Sequence, residues 1–482
     1  MNNVAIDYLN GKGYKIPNTN MYENIENWKN YYTNNLDYID YRDNFGVSRK
    51  MYTTGIAKRI AEDWSSIIHT EQDEIVSNKR QNKKFIEDFV KGLDLENQLV
   101  EAIEESAWSG TVASIIRLDN VTLEKGVLVA NENTKYDIIT VNAEQIVPLK
   151  IGHNKIVDVA IVSSETVEQK EIIYIELHEL TDKGYKISNV YLDGESGAEI
   201  KKDGVIKEYY TNSNVPLFSI LKTPIKNPLE NNIGLGLSMY ANAIDQIKAL
   251  DIAYHNFVMD FYLGGKKIIY NDKLIKYVTK QVKQADGTYT TIDVPQYPSD
   301  IAKQQFMQVG DGITEEGKEL IYEYNPALRV EENKAGIQFA LDMLGFKCGL
   351  GTKYYEFNQS GIVTATQYTG DRQDLIKNAN KYRNNLENYI EGIIKGALLL
   401  GKLVFKANVT EDCIVEVSNK DGILVNDEEK KEQLRKELQM GLISKKTYLM
   451  KVNKWTEEEV EEELARIQEE NSISEKEVKL EE

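Results

Sequence analysis

Residues 357–400 read FNQSGIVTATQYTGDRQDLIKNANKYRNNLENYIEGIIKGALLL. A polar segment punctuated by glycine runs into a long stretch with helical periodicity. Leu375, Ala379, Tyr382, Leu386, Tyr389, Ile393, Ala397 and Leu400 recur at spacings of three and four, which puts them on one helix face. Thr364 and Gln367 form a capping-box pair: the Thr hydroxyl accepts from a first-turn N–H and the Gln reaches back. Gly370, Gly392 and Gly396 each lower helix propensity by up to ~1 kcal/mol, but they admit close backbone approach. The helix would run about ten turns, well beyond the ~11–12 residues of a mean globular helix.

Working upstream, a second long apolar stripe passes through Leu237, Tyr240, Ile244, Ile247, Leu250, Tyr254, Phe257 and Phe261. It predicts a helix of ~40 Å over residues 235–263, with Gly234-Leu-Gly236 as a flexible lead-in and Gly264-Gly265 as its end. A further helix is expected over 331–347. Between the two lies a small mixed module, 266–330. It holds the strand KKIIY, the hairpin KYVTKQVKQADGTYTTIDV turning at Asp286-Gly287, and the strand KELIYEYN. The chain thus leaves a body through one helix, builds a compact tip and returns through another.

The rest of the chain supplies that body. Residues 1–110 read as helical, with one face marked by Ile56, Ile60, Trp64, Ile67 and Ile68 and further helices over 82–90 and 96–109. Residues 111–230 read as short β-branched strands. TDKGYKI, LDGESGAEI and KKDGVI have hairpin-turn composition. After the long helix come a strand pair, KLVFKAN and CIVEVS, and an acidic C-terminal region with three helices starting near Asn426/Asp427, Ser444 and Thr456. The fold class is α+β.

The chain has 482 residues, of which 41% are apolar. That suffices for two to four packed domains. No apolar run approaches the ~18 residues of a membrane span, and MNNVAIDYLNGKGYK lacks signal-peptide order. Cys348 and Cys413 are the only cysteines, so a reducing, cytoplasmic setting is expected. The net charge is −19, and twelve Glu against three Lys/Arg crowd into 456–482. A protein that grips DNA by its backbone usually shows a basic surface, so that class is disfavoured. The most basic stretch, 266–303, carries seven Lys and four Asp.

Several fragments imitate catalytic motifs and fail on chemistry. Gly312 through Lys318-Glu319 has P-loop spacing, but Glu replaces the Mg-binding Ser/Thr, and Glu315 and Glu316 would sit in the phosphate cradle. Gly234-Leu-Gly236 meets Met239 where a dinucleotide fingerprint needs its third Gly. His178-Glu179 lacks a second His at i+4. His69, His153, His178 and His255 are widely separated and read as core or solvated side chains. No enzyme, metal site or cofactor is expected.

The segments MYTTGIAKRIAEDWSSIIHTEQDEI, NPLENNIGLGLSMYANAIDQIKALDIAYHNFVMDF and GLGTKYYEFNQSGIVTATQYTGDRQDLIKNANKYRNNLENYIEGII, in this order, resemble the portal proteins of tailed bacteriophages, in particular those of Gram-positive hosts. Gln367 replaces the acidic residue usual after TAT, and the C-terminal module is short. The resemblance implies a phage portal fold assembled as a ring, typically of twelve copies, at one capsid vertex. The wing would be 1–232 with its strands at 402–426, the stem 233–263 and 331–348, and the clip 264–330. The tunnel loop would be 349–363, the long wing helix 364–401, and the helical acidic crown 427–482.

The resemblance further implies passage of double-stranded DNA during packaging and ejection. Its implied partners are the terminase large subunit, the head–tail connector, and the major capsid and scaffold proteins; no membrane is implied. The chain would assemble in the host cytoplasm and reside in the virion. Lys353, Tyr354, Tyr355, Asn358, Gln359 and Ser360 would line the channel's narrowest point. Lys266, Lys267, Lys273, Lys276 and Lys280 of the clip would face the motor, the connector or DNA. A ~40 Å stem would enclose about 24 phosphates, so a neutral or acidic wall would keep the duplex mobile. The alternatives are a ring component of the tail or baseplate without a DNA channel and, third, a packaging nuclease or ATPase.

Overall fold

The computed structural model describes residues 3–14, 16, 20–42, 46–69, 74–124, 127–152, 155–202, 204–228, 234–271, 277–284, 287–295, 306–309, 321–356, 372–418, 427–453, 455, 457 and 459–467. The architecture mixes helix and strand. The N-terminal part contains α1 (Asn3–Gly11), α2 (Met21–Tyr32), α3 (Ile56–Ile68), α4 (Lys83–Gly92) and α5 (Leu95–Ser109). The apolar stripes of α2 to α5 meet in one core, where Ile25, Ile60, Trp64 and Ile103 are buried. The all-helical reading of 1–110 needs correction. A short ribbon, β1 (Asp40–Arg42) with β2 (Ser48–Lys50), interrupts it, and β3 (Glu74–Ser77) follows α3.

Two sheets complete the body. A long hairpin, β4 (Thr111–Glu124) and β5 (Val127–Asn142), pairs on its other side with β12 (Phe218–Lys222). A meander of β6 (Ile146–Gly152), β7 (Lys155–Val167), β8 (Lys170–Thr181) and β9 (Gly184–Asp193) forms the second sheet. Strand periodicity decides its burial. Val159 and Ile161 of β7 face the main core, whereas Ala160 and Val162 face a second core sealed by Ala5 and Leu9 of α1. β10 (Glu199–Ile200) and β11 (Glu208–Tyr210) both pair with β9, at Tyr191–Leu192 and at Lys186–Ser188. β10 and β11 are therefore two parts of one interrupted edge strand and do not form a hairpin with each other.

The stripe that begins at Leu237 is not one helix. α6 spans Ile244–Leu263, twenty residues, or ~30 Å. Residues 235–240 are buried and non-helical. Thr111 Oγ1 accepts from Gly236 N at 2.7 Å, Thr223 Oγ1 donates to Leu237 O at 2.6 Å, and Met239 N donates to Ala107 O at 2.8 Å. Gly110 and Gly236 cross so closely that a Cβ on either would lie 2.5 or 2.3 Å from the other's carbonyl oxygen. The glycines serve a rigid core seam, not a flexible lead-in.

Beyond α6 lie β13 (Lys267–Asn271), β14 (Tyr277–Lys283), β15 (Tyr289–Pro295), β16 (Phe306–Val309) and β17 (Ile321–Tyr324). β13 is central to a three-stranded sheet, parallel to β16 and antiparallel to β17, while β14 and β15 form their own hairpin. The strand β16 is an addition to the sequence reading. The chain returns through α7 (Val330–Lys347) and enters α8 (Gln373–Leu403), a 31-residue helix. All eight stripe residues from Leu375 to Leu400 are buried. The capping box at Thr364 and the P-loop-like fragment around Gly312–Lys318 lie outside the described residues.

α8 crosses β12 and β4. A Cβ at Gly392 would sit 2.3 Å from Ser219 Oγ, and one at Gly396 would sit 3.0 Å from Ile116 Cδ1. Tyr382 and Tyr389 share hydrogen bonds with Ser106 and Ser114. The predicted strand KLVFKAN is instead the end of α8 and a turn in which Lys406 adopts φ 55°. β18 (Val415–Ser418) pairs with β3, tying the two halves of the chain. α9 (Asp427–Gln439) and α10 (Lys445–Asn453) follow. Ser444 Oγ caps α10 by accepting from Thr447 N at 3.0 Å.

Overpacking at the crossing should be costly. Gly392→Ala is expected to destabilise by about 1–3 kcal/mol. Gly336→Ala, with nothing within 4 Å of its Cβ, should be neutral or stabilise by up to about 1 kcal/mol. Urea denaturation of the two variants checks both signs.

Candidate assembly interface

α6 and α7 form an antiparallel pair: the end of α6 meets the start of α7. Asp260 accepts two bonds from Arg329 Nη2 at 2.8 and 3.0 Å and one from Asn333 Nδ2 at 2.7 Å. The hydrogen bond from Arg329 foremost holds the Asp260 carboxyl below its ordinary value. A depressed carboxylate stabilises above its unfolded pKa and loses that effect as pH falls through its folded pKa. This clamp is therefore present at neutral pH and released in acid below the usual carboxylate range.

The other half of α6 is fixed to the body. Asp251, 1% exposed, accepts from Tyr38 OH at 2.8 Å, Thr54 N at 2.8 Å and Thr54 Oγ1 at 2.7 Å. Burial, then the bond to Asp251, pushes the Tyr38 hydroxyl well above its ordinary pKa, so it stays a donor. One turn on, His255 Nδ1 accepts from Tyr52 N at 3.2 Å while Nε2 meets Tyr41 OH at 3.3 Å. The tyrosines and Thr54 come from the β1–β2 ribbon and its flanks. None of these contacts was foreseen in the sequence.

Outward from this anchored pair, large apolar side chains face solvent. Phe339 is 69% and Phe346 60% exposed on α7; Ile252 is 41% and Leu263 53% exposed on α6. Fully covering a Phe side chain contributes ~1.5–3 kcal/mol, and contiguous exposed apolar surface marks an interaction site. The signal was available: Phe339 and Phe346 lie seven residues apart, on a face that Leu341 and Leu344 do not use.

α7 ends in a hook, residues 348–356, wedged between α7, α3 and α8. Gly345 O accepts from Leu350 N at 2.9 Å and Gly351 N at 3.2 Å, and Asn378 Nδ2 donates to Gly349 O at 3.1 Å. Of the residues assigned to the channel, Lys353 is exposed and Tyr354 half-buried, its ring edge-on to Tyr355 at 4.9 Å. Tyr355 OH turns inward and donates to Asp63 Oδ2 at 2.8 Å. Arg59 Nη2 holds the other Asp63 oxygen at 2.8 Å. Burial raises the Asp63 pKa, against the opposing pull of both partners. Asn358, Gln359 and Ser360 lie outside the described residues.

Three of the five lysines assigned to the tip module are among the described residues. Lys266 pairs with Glu323 at 2.8 Å. Lys267 sits at the start of β13, across from Tyr324. Lys280 lies on the exposed hairpin, opposite Ile292. Lys273 and Lys276 lie outside the described residues. Val278, Val282 and Ile292 share a hairpin face with Lys280 and are 38–44% exposed.

Buried polar chemistry elsewhere is structural. Glu176 bonds Arg117, and His178 Nε2 lies 2.9 Å from its other oxygen. Burial and the Arg117 charge lower the His178 pKa to about 3, so the ring is neutral at physiological pH. His255 is also buried, His69 is half-buried and His153 is outside the described residues. Cys348 and Cys413 are buried free thiols. Among the described residues, no group of three or more His, Cys, Asp and Glu could hold a metal, and no helix is long and apolar enough to cross a membrane.

Comparison with known families gives the context of this geometry. The family described as phage portal protein, SPP1 Gp6-like, matches residues 14–477. The chain belongs to this family. The match extends over nearly the whole chain, so the helix pair, the tip, the long helix and all of the body beyond α1 fall within it. No curated protein matches. A phage portal is a structural virion component, not an enzyme.

For this portal chain, the link from α6 to the body should be the costly one to break. Asp251→Ala leaves the Tyr38 hydroxyl and Thr54 N–H without their acceptor, and should destabilise by about 3 kcal/mol. Asp260→Ala, at an exposed pair, should barely move the urea midpoint at pH 7.

Proposed function

We propose that copies of this chain close into a ring of twelve that forms the vertex channel for packaging and ejecting double-stranded DNA. The observation that carries this reading is the anchored helix pair with its exposed outward aromatics, in a member of the portal family. A head-to-tail ring has heterologous interfaces and closes only at a fixed rotation. Helices bolted to the body hold such an angle better than loops.

In this reading the wing is 1–232 with 402–426, and the stem spans 233–263 and 331–348, its helical parts being α6 and α7. The clip is 264–330 and docks first the terminase motor and later the head–tail connector. The tunnel loop is 349–363, α8 lies within the long wing helix at 364–401, and the crown is 427–482. The capsid and scaffold proteins contact the outer body. With α6 at twenty residues, the stem encloses about 18 phosphates. The stem helices carry more carboxylates, among them Asp245, Glu331 and Glu332, than lysines. Such a wall holds the duplex weakly, which suits transport. Tyr355 supports the loop from behind, while Lys353 and Tyr354 remain candidates for the channel side.

Negative-stain images of the purified protein should show end-on rings with a central hole wide enough for a duplex. Solitary globules or closed discs at every concentration would contradict the reading. Deleting residues 276–298, nearly all exposed where described, should spare rings yet abolish packaging of DNA in an assembly assay. Loss of rings in that variant would place the hairpin in ring closure instead.

A further inference from the structure

The two stem helices carry matched outward stripes. On α6, Ala249, Ile252, Asn256 and Met259 follow a 3,4,3 spacing and lie off the face marked by the buried Ile247, Leu250, Asp251 and His255. Ala249 and Asn256 are exposed, Ile252 is 41% exposed and Met259 half-buried. On α7, Glu332, Ala335, Phe339 and Asp342 follow the same spacing, with Phe346 one step beyond. Three-and-four spacing is the pattern of a helix–helix seam. The α7 stripe lies on the side of its helix opposite Asn333, which meets α6, so one chain cannot bring the two stripes together.

The antiparallel register fixes their relative heights. Asp260 meets Arg329 and Asn333, so position 260 of α6 is level with about 331 of α7. Stepping back along α6 and forward along α7 at equal rise sets Met259 level with Glu332 and Asn256 level with Ala335. The next levels are Ile252 with Phe339 and Ala249 with Asp342. The two stripes coincide position by position although the helices run in opposite directions. Lys248, the one lysine of α6, stands beside the Asp342 level.

We infer that the outward stripe of α7 packs against the outward stripe of α6 of the next copy, with Phe339 seated on Ile252 and Asn256 facing the small Ala335. This rests on the ring reading above. Rotation about a ring axis does not shift a copy along that axis. Surfaces that meet between neighbours, with the helix pair along the axis, must therefore stand at equal height, and these stripes do. Helices in such contact lie 8–10 Å apart. The bulky Phe339 opposite a branched side chain gives size complementarity, and the Asp342 carboxylate, half-buried and accepting from Gln338 Nε2 at 2.8 Å, stands near the height of Lys248, which lies over the Tyr38 ring. Stripes on different faces of the subunit make a head-to-tail contact, which propagates around a ring instead of ending in a dimer.

Engineered cysteines test the register. The full-length Ile252→Cys/Phe339→Cys variant, oxidised after assembly, should give a ladder of covalent oligomers on a non-reducing gel. Each single variant should stay monomeric there, since the native Cys348 and Cys413 are buried. A ladder from Asn256→Cys/Phe339→Cys in place of the first pair would overturn the equal-height register. Rings seen by sedimentation with no crosslink from either pair would overturn the seam but leave the portal reading intact. If the wild-type protein forms no rings, both readings fail. Independently, Phe339→Ser/Phe346→Ser changes only exposed positions and should fold normally. It should raise the protein concentration needed for half-assembly at least about tenfold; an unchanged value would overturn the proposal.

Discussion

A single buried carboxylate governs how the helix pair leaves the body. Asp251 receives three short hydrogen bonds from Tyr38 and Thr54, and its burial makes each bond hard to replace with water. The ribbon β1–β2 and its flanks exist, in effect, to deliver those donors and the tyrosines that sandwich His255. With α6 thus oriented, the Asp260 cluster sets the register of α7. The hook after α7 is then held by Tyr355 on Asp63. A chain of local contacts carries orientation from the N-terminal ribbon, through the α6–α7 pair, to the hook at residues 348–356.

Long-range order in the body rests on close backbone approach. Gly110 against Gly236 brings α5 to the segment before α6, and Gly392 against Ser219 brings α8 down onto β12. These crossings lock the segment before α6 and the long helix α8 to one core. A subunit built this way presents its outward faces as a rigid bracket, which is what closure of a ring demands.

The sequence was most legible where period and burial coincide. The α8 stripe from Leu375 to Leu400 was read correctly, because every third or fourth residue is buried against sheet and helices. The hairpin of the tip was legible from its Asp-Gly turn. The stripe through Leu237 and Tyr240 misled, since buried residues of a non-helical seam can fall at helical spacing by coincidence; the two flanking glycines were the clue to a tight crossing. KLVFKAN looked like a strand because β-branched and aromatic residues also end a fully buried helix. The partner of β18 could not be read locally, as β3 lies more than 300 residues upstream.

At the candidate interface, residue type alone suggested lysines and loop tyrosines. Three-dimensional placement shifts the emphasis to exposed phenylalanines and to buried polar anchors. Asp251 and His255 looked like ordinary polar positions on a helix, since nothing nearby in sequence shows that Tyr38, Tyr41, Tyr52 and Thr54 converge on them.

The central claim is that α6 is locked to the body within the single subunit, before any neighbour arrives. Hydrogen exchange on the unassembled protein tests it most directly. The account predicts that amides of residues 248–255 exchange only through opening close in free energy to global unfolding, as in the body helices. Exchange within seconds in the monomer, with protection appearing only on assembly, would contradict it.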